Sequence, residues 1–244
     1  MPPVIAVLRA GLFYAGLTLS TLVFTVPAAL SRLVPLPVRH RLIGWWSRFN
    51  IWWLRVTCGI RHEVVGLENL PDTPAAIVMA KHQSTWETMG LERYFPPLTW
   101  VIKRELLRVP GYGWGLAGLE PIAIDRSKGR EALNQIVELG LERLHAGRWV
   151  LIFPEGTRMP PGAPPKYRAG GARLAAKSGC PVVPVALNSG LFWRHGEFVK
   201  QPGTIRVEIG PVIPSEGRTA DEILADVRGW IESRMTQLVG QRRD

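Results

Sequence analysis

Apolar residues run almost unbroken from Ala10 to Leu30, with no charged side chain among them. About 20 helical residues cross a bilayer core, so the run predicts a membrane-associated helix. Its Gly11, Gly16 and Pro27 are tolerated in lipid. Two other readings stay open. One is a signal peptide cleaved near Pro27-Ala28-Ala29. The other is a buried helix or hairpin that enters one leaflet only. Arg9 sits late for a signal peptide, and the next segment is itself membrane-like. From Leu42 to Thr57 the pattern becomes amphipathic. Trp45, Phe49, Trp52 and Val56 recur at helical spacing, interrupted by Ser47, Arg48, Asn50 and Arg55. Indole rings favour the headgroup zone, and arginines reach phosphates there. The segment therefore predicts an interfacial helix, although a tryptophan-rich core helix would share the pattern.

Beyond Val64, short apolar runs alternate with helical patterns. Ala76–Ala80, Thr99–Ile102, Trp149–Phe153, Val182–Leu187 and Thr204–Ile209 read as strands. Gly129–Leu144, closed by Gly147, reads as a helix, and so does Thr219–Leu238. The latter opens on Thr219 and Glu222, a capping-box pair, and carries Ile223, Val227, Trp230, Ile231 and Leu238 on one side. The alternation predicts an α/β fold, a largely buried sheet flanked by helices, with an N-terminal membrane-associated helical pair. The expected division is 1–60 for the helical pair and 61–244 for the α/β domain.

Charge narrows the partners. The 244 residues are 46% hydrophobic and carry a net charge of +10. Between Met1 and His62 there is no Lys, Asp or Glu, and arginine supplies all the side-chain charge. Arginine set among long apolar runs suits membrane lipids of anionic headgroup. With no recognised reading motif, it argues against nucleic acid. More arginines follow the apolar run than precede it, so the positive-inside bias puts the next domain on the cytoplasmic side of the inner membrane. Cys58 and Cys180 supply neither zinc spacing nor a disulfide framework. No metal and no cofactor is expected.

The candidate chemistry lies at strand ends. Lys81-His82-Gln83-Ser84-Thr85-Trp86-Glu87 follows the strand Ala76–Ala80. Histidine is the side chain suited to take a hydroxyl proton near neutral pH, and a carboxylate on its other ring nitrogen fixes the tautomer. Residues five apart on a helix point about 140° apart, so His82 must precede the helix and Glu87 must lie in its first turns. Ser84-x-x-Glu87 is also a capping box, which gives Glu87 a second candidate task. Phe153-Pro154-Glu155-Gly156-Thr157-Arg158 follows the strand Trp149–Phe153. There Gly156 permits close backbone approach to a ligand, and Arg158 can fork onto a phosphate. Glu155 would order the loop or contact a ligand hydroxyl. The plainer reading is a tight turn with an exposed salt bridge. Lys103-Arg104-Glu105-Leu106 and Ile124-Asp125-Arg126 follow two further apolar stretches. Lys103, Arg126 and Arg158 would form an anion pocket if they converge. The Pro/Gly-rich stretch Met159–Pro165 is a candidate site-lining loop.

His82-x4-Glu87, Lys103-Arg104-x-Leu106 with Pro110, Ile124-Asp125-Arg126, Phe153–Arg158 and Val182-Val183-Pro184-Val185 occur in that order. In this the chain resembles the glycerolipid acyltransferase family over about residues 60–215, most closely its bacterial lysophosphatidic acid acyltransferases. The resemblance implies an α/β acyltransferase fold and a catalytic His82 oriented by Glu87. It implies phosphate or acceptor binding by Arg158 with its neighbours Glu155, Gly156 and Thr157, helped by Lys103 and Arg126. The implied reaction moves an acyl chain from acyl-CoA or acyl carrier protein to the free sn-2 hydroxyl of lysophosphatidic acid. The family's usual acid is Asp, and Glu87 is one methylene longer. Two rivals remain: acylation of another acceptor, such as a different lysolipid, and a non-catalytic membrane-tethered binder of anionic lipid. No covalent enzyme intermediate is called for, since the chain has no Gly-x-Ser-x-Gly elbow. His40, His62, His145 and His195 read as surface or packing residues.

Overall fold

A computed structural model describes residues 3–240. Their centre is a seven-stranded sheet of order β1-β7-β6-β2-β5-β3-β4. The strands are β1 (Ile60–Val65), β2 (Ile77–Ala80), β3 (Leu98–Lys103), β4 (Ile122–Ile124), β5 (Trp149–Ile152), β6 (Val182–Leu187) and β7 (Gly203–Ile209). From β6 through β2, β5 and β3 to β4 every pairing is parallel. Strand β7 runs antiparallel to β6 and carries β1 parallel to itself.

Parallel strands need crossovers, and crossover helices cover both faces of the sheet. Side chains alternate along each strand. Ile77, Met79, Val150 and Ile152 pack with α5 (Arg130–His145), α6 (Gly170–Ser178) and α7 (Ala220–Gly240). Val78, Ala80, Trp149 and Leu151 share the opposite cluster with Ile51 and Leu54 of α2 (Leu36–Cys58) and Trp86 of α3 (Trp86–Gly90). Double burial is why these strands read as unbroken apolar runs.

The five expected strands form within one residue of their predicted ends, and α5 and α7 within two. The capping box of α7 is made: Thr219 N–H donates to Glu222 Oε2 at 2.8 Å, and Glu222 N–H to Thr219 Oγ1 at 3.3 Å. The pattern did not reveal β1, an edge strand carrying Arg61 and Glu63, or β4, which spans three residues. Helices α3, α4 (Tyr112–Gly118) and α6 are too short to print a periodic stripe.

The N-terminal helices exceed their predicted lengths. Helix α1 runs Pro3–Leu30, and α2 starts at Leu36 rather than Leu42, after a tight turn at Ser31–Leu33. They pack antiparallel on each other. Gly16 makes this possible, because a Cβ there would overlap the Trp53 indole, whose Nε1 donates to Leu12 O at 3.1 Å. Ser20 donates to Asn50 Oδ1 at 3.1 Å across the same buried seam. Helix α1 also rests on the α/β body at two places. Toward its middle, Phe13 meets Trp193 edge-on at 5.2 Å and Tyr14 stacks on Phe198 at 5.1 Å. Near its end, Thr25, Ala28 and Ser31 lie against the glycines Gly111, Gly115 and Gly118 of the α4 region. The outer side of the pair stays apolar: Leu8, Leu19, Leu22 and Val26 of α1, and Trp45, Phe49, Trp52 and Val56 of α2, are all exposed.

Candidate active site

The four adjacent parallel strands β2, β5, β3 and β4 end on one edge of the sheet. Their C-terminal extensions deliver His82, Arg158, Lys103 and Arg126 respectively. Ligands of open parallel sheets bind beyond the carboxyl ends of the strands. A cleft of about 230 Å³ opens there, walled by these four residues, by Phe153, and by Phe24, Pro27, Leu42 and Trp46 of the N-terminal helices. The three cations expected at separate strand ends therefore converge, opposite apolar walls.

His82 leaves β2 before α3 begins, and Glu87 is the second residue of α3. That short break in helical geometry lets residues five apart face each other. Imidazole Nδ1 lies 2.6 Å from Glu87 Oε2. An ionised carboxylate only accepts hydrogen bonds, so Nδ1 bears the proton and Nε2 keeps its lone pair. The ring is stacked on Phe153, with centroids 3.8 Å apart and planes 12° apart. Phe153 and Glu87 together fix the imidazole in two directions.

Glu87 is fully buried. Besides His82 it accepts from Ser84 N–H at 2.8 Å, from Gln83 N–H at 3.1 Å and from the Ser189 hydroxyl. Its two candidate tasks are thus one arrangement: Oε2 holds the imidazole while Oε1 reaches back over the start of α3. The forward half of the capping box differs from expectation, since Ser84 Oγ accepts from Trp86 N–H at 3.0 Å rather than from Glu87. The longer side chain of Glu spans both partners.

The loop after β5 clamps His82 by its main chain. His82 N–H donates to Glu155 Oε2 at 2.9 Å, and Met159 N–H donates to His82 O at 2.8 Å. Glu155 also pairs with Lys81, whose ammonium lies 2.8 Å from Glu155 Oε1 and 2.8 Å from Glu232 Oε1 on α7. Tyr167 donates to the same Glu232 oxygen at 2.8 Å. Burial pushes the Glu155 carboxyl above the usual carboxylate range, against the pull of Lys81. Of the two tasks expected for Glu155, the structure displays loop ordering, and the side chain does not line the cleft.

The remaining expected residues divide. Arg158 lines the cleft, its Nε buried without a hydrogen-bond partner among the described residues and its Nη1 3.4 Å from His195 Nδ1. An unmet, buried guanidinium N–H is costly unless a ligand anion completes it. Lys103 is half-exposed at the rim, 3.5 Å from Glu105. Arg126 donates to the carbonyl of Gly156. Gly156 lies beside a second cavity instead of the first, and Thr157 is exposed and lines neither. Ser189 belongs to no motif, although it stands just beyond the predicted strand Val182–Leu187. Nor does the sequence carry a signal for Glu232, 151 positions from Lys81. Among the described residues no group of His, Cys, Asp and Glu could hold a metal ion.

An acyltransferase family model matches residues 61–188. A Pseudomonas aeruginosa protein, 1-acyl-sn-glycerol-3-phosphate acyltransferase, is 46% identical over 95% of this chain and 91% of its own. The human 1-acyl-sn-glycerol-3-phosphate acyltransferase beta is 30% identical over 89% of this chain and 80% of its own. The fold matches the crystal structure of the 1-acyl-sn-glycerophosphate (LPA) acyltransferase from Thermotoga maritima, with a TM-score of 0.80, 22% identity and 98% of each chain covered.

Proposed function

The chain belongs to the acyltransferase family, and from that premise we propose how it transfers an acyl chain to the sn-2 hydroxyl of lysophosphatidic acid, forming phosphatidic acid. The observation that carries the mechanism is the His82–Glu87 pair at the mouth of a cleft with cations on one wall and apolar side chains on the other. Arg158 and Lys103 hold the acceptor phosphate, with Arg126 behind them. The sn-2 hydroxyl then lies at His82 Nε2, which takes its proton as the oxygen attacks the acyl thioester. Glu87 stabilises the imidazolium that results. Holding both reactants in register supplies much of the acceleration. The donor is acyl-CoA or acyl carrier protein.

Protein purified in detergent micelles should release thiol from oleoyl-CoA only when lysophosphatidic acid is present. His82→Ala should slow this by about 10²–10⁴-fold, the usual range for a lost general base. Near-wild-type activity would overturn the assignment. Arg158→Ala should cost far more activity on lysophosphatidic acid than on a neutral monoacylglycerol; equal losses would make Arg158 structural.

The finer placement is at the cytoplasmic side of the inner membrane, with the helical pair lying in one leaflet. Helix α1 is about 42 Å long at 1.5 Å per residue, enough to cross a bilayer. Its attachments to the α/β body at its middle and its C-terminal end oppose crossing, because a perpendicular α1 would pull the sheet into hydrocarbon. Lying flat, the pair presents its apolar side to acyl chains. Arg41, Arg48 and Arg55, all exposed and seven residues apart along α2, then form a line beside Trp45 and Trp52 at headgroup level. Lysophosphatidic acid would enter the cleft between these helices without leaving the membrane.

A further inference from the structure

Gly156 sits between two guanidiniums. Arg126 donates to its carbonyl, and Arg168 lies over its Cα, where a Cβ would stand 2.8 Å from Arg168 Nε. Neither arginine, nor Arg158 nearby, is in an ion pair with a carboxylate among the described residues. Burial, together with the charges of Arg168 and Arg158, holds the Arg126 guanidinium below its ordinary range. Glu105 offsets part of this repulsion at Arg126 without forming an ion pair with it, and the remaining surplus of cations is stabilised by a bound anion. Arg158 points into the cleft that holds His82, but Arg168 does not.

Arg168 instead lines a second cavity of about 370 Å³, on the sheet face opposite to that cleft. Its walls are apolar residues of α5, among them Leu133 and Ile136, and the backbone at the start of α6. Arg130, Lys166 and Arg173, all exposed, stand within two positions in the chain of its lining residues Gly129, Arg168 and Gly171. The two cavities share Arg126 and Phe153, and Phe153 is the ring on which His82 is stacked. One cavity thus opens toward the apolar helical pair and the other away from it, and they meet at Phe153, beneath the His82 ring.

We propose that the second cavity binds the acyl donor by its phosphopantetheine arm, with Arg168 and Arg126 on phosphate, and delivers the thioester past Phe153 to His82. This rests on the acyl-transfer reading and locates the second substrate. A phosphate-bearing, water-soluble carrier matches a basic cavity facing away from the lipid side. In the transfer, the acceptor oxygen bonds the thioester carbonyl carbon and the carbon–sulfur bond breaks. The hydroxyl proton passes to His82 Nε2 and then to the departing thiolate, so no further reactant is needed.

Arg168→Ala, an exposed change expected to fold, is compared with wild type on oleoyl-CoA and on oleoyl-pantetheine, which lacks phosphate. The KM for oleoyl-CoA should rise about tenfold or more, as for one lost charge-assisted contact. The KM for oleoyl-pantetheine and for lysophosphatidic acid should move less than twofold. Leu133→Trp, which fills the cavity, should raise the KM of both donors while wild-type melting is retained. An equal loss on both donors for Arg168→Ala, or a rise in the acceptor KM instead, overturns the proposal. Calorimetric binding of CoA, and separately of phosphopantetheinylated carrier protein, gives a readout independent of turnover. Arg168-dependent binding of either supports the site and identifies the carrier; binding of neither refutes it. Wild type that binds CoA through Arg168 yet acylates nothing would retain the site and refute the acyltransferase reading.

Discussion

At the scale of residues, His82 and Glu87 form one unit with unequal structural weight. The His82 main chain is held by Glu155 and Met159 whatever its side chain, whereas Glu87 terminates four hydrogen bonds in a buried place. His82→Ala should therefore slow turnover by the same factor of about 10²–10⁴ while costing less stability than loss of Glu87, since it removes one of the carboxylate's four partners. Glu87→Ala strands two backbone N–H groups and the Ser189 hydroxyl. At about 1–3 kcal/mol for each unmet buried group, it should lower stability by several kcal/mol as well as activity. Thermal melts beside thiol-release assays check both, and a Glu87→Ala protein that melts like wild type would mean water fills these contacts. Glu87→Asp tests the extra methylene: it should keep one of the two roles and lose rate, because the shorter chain does not span His82 and the start of α3 together. In the sequence this pair was legible only as spacing. The bonds from Gln83, Ser84 and Ser189 were not, because Ser189 approaches from a strand-end loop 102 positions away.

At the scale of elements, what the periodicity showed clearly were the buried strands and the long helices. What it missed were α4 and α6, which are held by packing and not by a stripe of their own, while α3 was announced only by the Ser84-x-x-Glu87 capping pattern. The docking of α1 illustrates this. The buried Lys200 ammonium donates to Tyr14 OH at 2.7 Å, Phe198 O at 2.6 Å and Glu197 O at 3.1 Å, and lies 4.4 Å above the Tyr14 ring. Burial pulls its pKa down from 10.5 to about 8. Between those values the unfolded chain binds the proton and the folded chain has released it, so this residue's contribution to stability rises with pH across that window. Lys200→Met cannot titrate. The melting temperature of wild type minus that of Lys200→Met should therefore increase from pH 7.5 to pH 9.5; a constant difference would show that Lys200 keeps an ordinary pKa. Gly16→Leu should separate α1 from α2 by driving Trp53 off the seam, read as a lowered melting temperature in micelles.

At the scale of the whole molecule, the helical pair and the sheet share a core, with Phe13, Ile51 and Leu54 in one cluster with Ile60, Val78 and Leu151. The flat placement proposed for α1 rests on that union and has a direct test. Single cysteines at exposed Val4 and Leu30, in a protein with Cys58 and Cys180 replaced, should react with a membrane-impermeant maleimide from the same side of sealed vesicles. Labelling from opposite sides would establish a crossing helix. The sequence by itself determined the apolar and amphipathic segments, the strands buried on both faces, and the blocks of candidate site residues at strand ends, because these are local patterns of side chains along the chain. Only the tertiary structure decided that Lys103, Arg126 and Arg158 converge, that Glu155 turns inward to Lys81, and that two cavities meet at Phe153. Strand order brings β2, β5, β3 and β4 together, and adjacency across a sheet is set by long-range pairing, which no local pattern encodes.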